Sequence, residues 1–222
     1  MKAQQVNRVL ISGSVFSTLG EVIQAVANLA TSIIGARLLP VRDFGLMATV
    51  ILTLSILEHF SQTGFDSALV QRESDVEPYL DVAWTWHLLR GLLITAVLAG
   101  LAYPLGGFYG EPELPLLMLA CCASALLQGA HNVGPIFFSR QLDFKTLFFT
   151  RLAHIVVKLA IFLPAIIIFR NVWALVVGHL AGATVGLIIS YVVHPHRPRI
   201  AFDRAKLGEL IGFGKWLTGM AW

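Results

Sequence analysis

Apolar stretches interrupted by regularly spaced polar residues fill most of this chain of 222 residues. Six stretches are long enough to cross a bilayer as helices, since one span needs about 20 mostly apolar residues. They cover residues 10–39, 44–62, 82–108, 114–138, 147–169 and 172–193. This pattern predicts an all-α fold, a polytopic membrane bundle of six transmembrane helices.

Polar side chains recur along five of these stretches at steps of three and four residues, which places each set on one face of its helix. Charged groups inside a span are costly and usually face a water-filled cavity or a partner helix. In chain order the sets are Ser14, Ser17, Glu21, Gln24 and Asn28; Ser55, Glu58, His59, Gln62 and Asp66; His87 and Arg90; Ser124, Gln128, His131 and Asn132; and Arg151, His154 and Lys158. The pattern therefore indicates a polar path through the bundle, as in a transporter.

The depth of these sets follows from the direction in which each span is threaded. With odd spans running outward and even spans running back, all five sets lie mostly in the cytoplasmic half. The opposite halves are almost purely apolar, as in residues 92–101 and 160–168. We therefore expect a polar vestibule at the cytoplasmic end of the bundle and apolar packing that closes the other end.

Composition and charge place the chain in a membrane. Hydrophobic residues make up 56% of it and charged residues 13%, whereas soluble domains are about 25% charged. We expect membrane lipids around it and no nucleic-acid partner. Basic residues favour a cytoplasmic N-terminus, because Lys and Arg are enriched on the cytoplasmic side of spans. The inside flanks then hold Lys2, Arg8, Arg72, Arg140, Lys145, Arg151, Arg197, Arg199, Arg204 and Lys206, and the outside flanks hold Arg37, Arg42 and Arg170.

The polar sets also supply the candidate site residues. For substrate binding these are Arg90, Gln128, His131, Asn132, Arg151, His154 and Lys158. For ion coupling they are the protonatable carboxylates Glu21 and Glu58. The competing interpretation is structural. Arg90 can reach lipid headgroups from its depth, the two carboxylates can form ion pairs that only hold helices together, and the histidines can be satisfied interior groups.

Patterns typical of catalysis or metal binding are lacking in the sequence. It contains no His-x-x-x-His or Glu-x-x-His pair on one helix and no glycine-rich phosphate loop after a strand. We therefore predict that the protein is not an enzyme, has no catalytic residues or metal ligands, and needs no cofactor.

Three segments are predicted along the chain. Residues 1–193 form a six-helix transmembrane lobe, and residues 194–209 form a basic linker that leads into a helix at the cytoplasmic interface. Residues 210–222 begin a further apolar segment that is too short to span. We interpret this last segment as the truncated start of a seventh helix and the chain as part of a longer membrane protein.

Four motifs in register carry a family resemblance. They are ARLLPVRDFG at 36–45, GFDSALVQR at 64–72, FYGEPEL at 108–114 and SRQLDF at 139–144. In order and with this topology, they resemble the polysaccharide transporter (Wzx-like flippase) family of the multidrug/oligosaccharidyl-lipid/polysaccharide exporter superfamily. The resemblance covers essentially the whole chain.

The resemblance implies two six-helix lobes that form a V around a central cavity and alternate their access to the two sides. It implies that the chain is the N-terminal lobe, with the missing C-terminal lobe of the same chain as its partner. The implied substrate is a lipid-linked oligosaccharide, usually carried on undecaprenyl pyrophosphate. The implied location is the bacterial cytoplasmic (inner) membrane.

Three other functions stay open at this point. A drug or cation exporter of the same superfamily would favour acidic and aromatic cavity residues, whereas the candidates here mix Arg and Lys with Glu. A membrane-embedded glycosyl- or acyl-transferase would need an acid/base or metal constellation near one membrane face. A structural membrane subunit would use its polar residues only to pair with one another.

Overall fold

A computed structural model of the chain describes residues 3–62, 64–71, 76–203 and 206–209. Within these ranges all of the regular elements are helices, which confirms the all-α prediction. They are α1 (Ala3–Leu38), α2 (Val41–Phe60), α3 (Phe65–Gln71), α4 (Glu77–Tyr109), α5 (Leu114–Gly129), α6 (Ile136–Arg140), α7 (Phe144–Phe169) and α8 (Val172–Val193).

Four of the described helices are long and apolar enough to cross a membrane. They are the Val15–Leu38 part of α1 and the whole of α4, α7 and α8. In addition, α2 has 20 residues with charged residues near both ends, and α5 is an apolar helix of 16 residues. The chain is thus an all-helical, multi-pass membrane protein.

The predicted fourth stretch, residues 114–138, is not one continuous helix. It divides into α5 and the short α6, which are joined by residues 130–135. Pro135 has no backbone N–H and disfavours helical geometry in the residue before it. Asn132 bridges the break, because its Oδ1 accepts from the Gly134 N–H at 2.9 Å and its Nδ2 donates to the His196 carbonyl at 2.8 Å.

The polar half and the apolar half of the bundle are separated as expected. The largest core cluster draws mainly on the first half of α2, the second half of α4 and the first halves of α5 and α8, and it extends to Leu54 and Ala125 near the middle of the bundle. Val50, Leu98, Leu117 and Met118 at its centre are fully buried. Because neighbouring spans run in opposite directions, these segments all lie at the end of the bundle away from the polar sets.

Helices α4 and α5 cross in backbone contact. A Cβ atom on Gly91 would lie 2.6 Å from the carbonyl oxygen of Ala125, and one on Gly129 would lie 2.7 Å from that of His87. Small residues permit this close approach between membrane helices. The crossing places Arg90 and Gln128, the residues next to the two glycines, on the same polar side of the bundle.

The segment that follows α8 lies extended along the start of α4. The backbone N–H of Arg199 donates to Asp81 Oδ1 at 3.1 Å, and that of Ala201 donates to Thr85 Oγ1 at 2.9 Å. His196 Nε2 lies 3.3 Å from Asp81 Oδ1. The predicted linker is therefore bound to the helical lobe over residues 194–203, and one helical turn follows at 206–209. The seventh helix predicted for 210–222 lies outside the described residues.

We expect the double variant Asp81→Ala/Thr85→Val to release this linker. Each lost hydrogen bond is worth about 1 kcal/mol, so local opening becomes roughly five-fold to thirty-fold more populated. Limited trypsin digestion after Arg199 should accelerate accordingly, because cleavage follows the open population. Thr184→Val is the matched control, since that hydroxyl donates to the Leu180 carbonyl within α8. Unchanged cleavage in the double variant would contradict the docked linker.

Candidate functional site

Two cavities lie at the polar end of the bundle. The first, of about 600 Å³, lies mainly between α2, α4 and α5. The second, of about 750 Å³, lies mainly between α1, α7 and α8. They share the part of their walls formed by the α5–α6 connection, α6 and the start of α7. The shared residues are His131, Asn132, Pro135, Ser139 and Leu147.

Three predicted residues meet in the first cavity. Gln128 Nε2 donates to the Glu58 carboxylate at 3.0 Å. Arg90 donates through Nε to Ser61 Oγ at 2.9 Å and through Nη2 to the backbone carbonyl of Glu58 at 2.7 Å. A cation at this position also suits the partial negative charge of the α2 C-terminus. Arg90 is therefore partly buried against α2 and lines the cavity.

Two predicted residues line the second cavity from α7. His154 Nε2 lies 2.9 Å from the Gly182 carbonyl, which can only accept, so this nitrogen carries the hydrogen. Arg151 is exposed and makes no hydrogen bond or ion pair within the described part of the chain. Its side chain lies over Gly20, where a Cβ atom would be 3.3 Å from Arg151 Cδ. The α1–α7 contact thus leaves the guanidinium available to a ligand.

The wall between the cavities contains two more predicted residues, His131 and Asn132. The rings of His131 and His154 converge over Gly186, where a Cβ atom would lie 3.2 Å and 3.7 Å from their Nε2 atoms. Asn132 is buried, and its backbone N–H donates to Ser190 Oγ at 3.0 Å. With its bonds to Gly134 and His196, Asn132 joins α8, the α5–α6 connection and the linker.

Lys158 and Glu21 lie apart from these cavities. Lys158 lines a third cavity of about 210 Å³ together with His179, on the side towards the apolar half. Its aliphatic stem packs on Gly182, where a Cβ atom would be 3.4 Å from Lys158 Cδ. Glu21 is exposed on α1 and lines neither of the first two cavities. The side chains of Ser14 and Asp66 lie outside the described residues.

The structure also shows cavity residues that the sequence did not single out. Phe16, Phe144 and Phe148 line the second cavity, and the rings of Phe16 and Phe148 are 5.5 Å apart. Inside an apolar stretch a cavity-lining phenylalanine has the same pattern as one that faces lipid. Ser139, on the shared wall, belongs to α6, which begins inside the predicted fourth stretch and ends two residues beyond it.

The opposite end of the bundle carries a cluster of three charges. Arg42 pairs with Glu111 and, at 3.1 Å, with Glu113, so that the α1–α2 and α4–α5 connections are joined. The hydrogen bond from Arg42 holds the pKa of the Glu111 carboxyl below its usual range. The pair is solvent-accessible, and such pairs contribute little to stability.

The fold and the cavities define a class of protein. It is a multi-pass helical membrane protein with polar cavities at one end, and no cluster of three His, Cys, Asp or Glu side chains suited to a metal occurs in the part of the chain that the structure covers. The chain belongs to the polysaccharide biosynthesis protein family, whose family model matches residues 34–221. This confirms the resemblance predicted from the four motifs.

Curated relatives agree with this assignment. The chain is 26% identical over 186 residues to the succinoglycan biosynthesis transport protein ExoT of Rhizobium meliloti (strain 1021), covering 83% of this chain and 37% of that protein. It is 22% identical over 215 residues to the lipopolysaccharide biosynthesis protein WzxC of Escherichia coli (strain K12), covering 94% of this chain and 43% of that protein.

The ExoT relative is named a transport protein, which agrees with the prediction that the chain is not an enzyme. The chain spans about two fifths of the length of the two relatives. No solved structure matches it.

Proposed function

We propose that this chain is the N-terminal lobe of a transporter that flips lipid-linked oligosaccharide or polysaccharide precursors across the bacterial cytoplasmic membrane by alternating access. The observation that carries the proposal is the separation along the bundle. Two polar cavities lie at one end, and a tightly packed apolar core closes the other. Such a lobe provides half of a pathway that is open to one side of the membrane only.

The proposed lobe has six spans, formed by α1, α2, α4, α5 with α6, α7 and α8. Helix α2 is about 30 Å long at 1.5 Å per residue, which matches a typical hydrocarbon core. Helix α5 is about 24 Å long by the same measure, so α6 completes the fourth crossing. Residues 194–209 then form the cytoplasmic linker, and residues 210–222 begin the seventh helix of the second lobe.

The chemistry of the substrate fits the cavities. A pyrophosphate and its sugars cannot cross hydrocarbon unaided and need hydrogen-bonding groups with some positive charge. The amides and imidazoles at Gln128, His131, Asn132 and His154 suit sugar hydroxyls, and the cations Arg90, Arg151 and Lys158 suit phosphate. The prenyl tail stays in the lipid while the head passes.

Ion coupling is assigned to Glu21 and Glu58. Glu58 is hydrogen-bonded to Gln128 inside the first cavity, so a proton and an arriving hydroxyl group compete for the same carboxylate. Glu21 is exposed on α1, and its charge in a span requires a polar neighbour. We assign that neighbour to the second lobe.

Transport by the full-length protein in proteoliposomes tests this function. A fluorescent undecaprenyl-pyrophosphate-linked oligosaccharide should move between leaflets with the full-length protein, and its mass should stay unchanged. Residues 1–222 alone should not move it, because one lobe supplies half of the cavity wall. Movement of organic cations in place of the lipid-linked sugar would support the cation exporter instead. A change in the mass of the lipid-linked sugar would support the transferase.

Single-cysteine labelling in intact cells tests the orientation. The native Cys121 and Cys122 are buried, so their background reaction is small. Glu113 and Lys145 are exposed and lie at opposite ends of the bundle. We expect Glu113→Cys to react with a membrane-impermeant maleimide from outside and Lys145→Cys to react only after lysis. The reverse result would invert the proposed topology.

A further inference from the structure

We propose that the two cavities at the polar end are separate subsites for one lipid-linked substrate. The second cavity takes the pyrophosphate with the first prenyl units, and the first cavity takes the sugar attached to it. This assignment rests on the transport function proposed above. It goes further because it gives each part of the substrate its own residues.

The charges of the two cavities differ. Arg151 lines the second cavity, and no aspartate or glutamate is among the described residues that line it. The first cavity contains both Arg90 and Glu58. The positive charge of Arg151 therefore favours an anion in the second cavity. The net charge of the first cavity is close to zero, because the Glu58 carboxylate offsets the Arg90 guanidinium.

The two arginines are also engaged differently. Arg90 is already hydrogen-bonded to Ser61 and to the carbonyl of Glu58 at the end of α2. Arg151 has no hydrogen bond or ion pair to any residue in the described ranges. A free guanidinium can bind phosphate oxygens through two parallel N–H groups, which is the strong geometry for this anion. Of the two arginines, Arg151 is thus the one whose guanidinium is available to bind phosphate.

The first cavity suits a sugar. The Glu58 carboxylate accepts one hydrogen bond from Gln128, and a carboxylate has about four acceptor sites. Its remaining sites, with the second N–H of the Gln128 amide and the Ser139 hydroxyl on the wall, offer both acceptors and donors. Sugar hydroxyls need both kinds of partner at close spacing.

The order of the two cavities matches the order of groups in the substrate. Phe16, Phe144 and Phe148 give the second cavity an apolar side next to Arg151, as a prenyl chain joined to pyrophosphate requires. The wall at His131 and Asn132 adjoins both cavities. The bond between pyrophosphate and sugar would lie at this wall. The first prenyl units and the pyrophosphate would then occupy the second cavity, and the sugar would occupy the first.

Binding to the full-length protein in nanodiscs tests the assignment with two probes, undecaprenyl pyrophosphate and undecaprenyl pyrophosphate carrying one hexose. Arg151→Ala should weaken both by about 10-fold to 100-fold, because it removes a charge-assisted contact. Gln128→Ala should weaken only the hexose-bearing probe, by about five-fold. Arg151→Lys should recover part of the affinity for both. The matched control Arg37→Ala removes an exposed cation at the other end of α1 and should change neither.

The outcomes separate this assignment from the transport function. The subsite assignment is overturned if Gln128→Ala weakens both probes equally or if Arg151→Ala weakens neither. The transport function stands after either result if the wild-type protein still binds and moves the lipid-linked sugar. Wild-type protein that binds neither probe would overturn the subsites and the proposed substrate together. Variants are compared only at equal yield of monodisperse protein, so a folding defect is not read as a binding defect.

Discussion

The double variant Gly91→Ala/Gly129→Ala is expected to lose the folded protein. Each added Cβ atom would lie within 2.7 Å of a backbone carbonyl oxygen on the facing helix. Backbone atoms cannot swing aside as a flexible side chain can, so α4 and α5 must separate. Overpacking of this kind costs about 1–3 kcal/mol at each site. Separation would also disturb the first cavity, because Arg90 and Gln128 lie next to the two glycines.

The effect is measured as the yield of monodisperse protein in detergent and as its melting temperature. Either single variant should lower the melting temperature by about 5 to 10 °C, and the pair should leave little folded material. Gly100→Ala is the matched control, since a Cβ atom there meets nothing within 4 Å. Alanine has the higher helix propensity, so this control should be neutral or slightly stabilising. Wild-type behaviour of Gly129→Ala would mean that the two helices do not cross in contact.

Arg151→Ala in the full-length protein is expected to reduce export of the lipid-linked sugar by about 10-fold to 100-fold without lowering protein level. The guanidinium makes no hydrogen bond or ion pair within the described residues, so its loss removes a ligand contact and little packing. Complementation of a flippase-deficient strain, with the protein quantified in the same membranes, measures the effect. Arg37→Ala again serves as the control.

Lys158 shares a face of α7 with Arg151 but lies in the third cavity with its stem on Gly182. We expect a smaller loss of export for Lys158→Ala than for Arg151→Ala, and more activity in Lys158→Arg than in Lys158→Ala. Normal export by a well-expressed Arg151→Ala/Lys158→Ala double variant would exclude both cations from the path. Rescue of a poorly folded Arg151→Ala by neutralising Glu21 or Glu58 would show that the residue serves only in an ion pair.

The helical fold and the division into a polar and an apolar end were predictable from the sequence. In hydrocarbon every backbone group must be bonded within its own segment, so long apolar stretches have to become helices. The three- and four-residue steps then place each polar set on one face of its helix. Because successive spans run in opposite directions, all of the sets lie near the same end of the bundle. The stretch at 172–193 has the bounds of α8, and the predicted spans at 82–108 and 147–169 lie within α4 and α7. The predicted span at 10–39 extends one residue beyond the end of α1. The family was also predictable from the sequence, because its motifs are short contiguous runs of residues.

The arrangement of the candidate residues was decided by the tertiary structure. Periodicity groups Arg151, His154 and Lys158 on one face, but which cavity each one enters depends on where α1 and α8 pack around α7. The division of one vestibule into two cavities depends on the break at Pro135, and Asn132 stabilises it through partners more than 50 residues away, at Ser190 and His196. The docking of the linker was not predicted, because most of its contacts with the lobe use backbone groups, the N–H groups of Arg199 and Ala201 and the carbonyl of His196. Backbone groups are the same in every non-proline residue and carry no sequence signal. Contacts between distant segments depend on which helices pack against each other. The residue pattern of a single helix does not specify which helix that is.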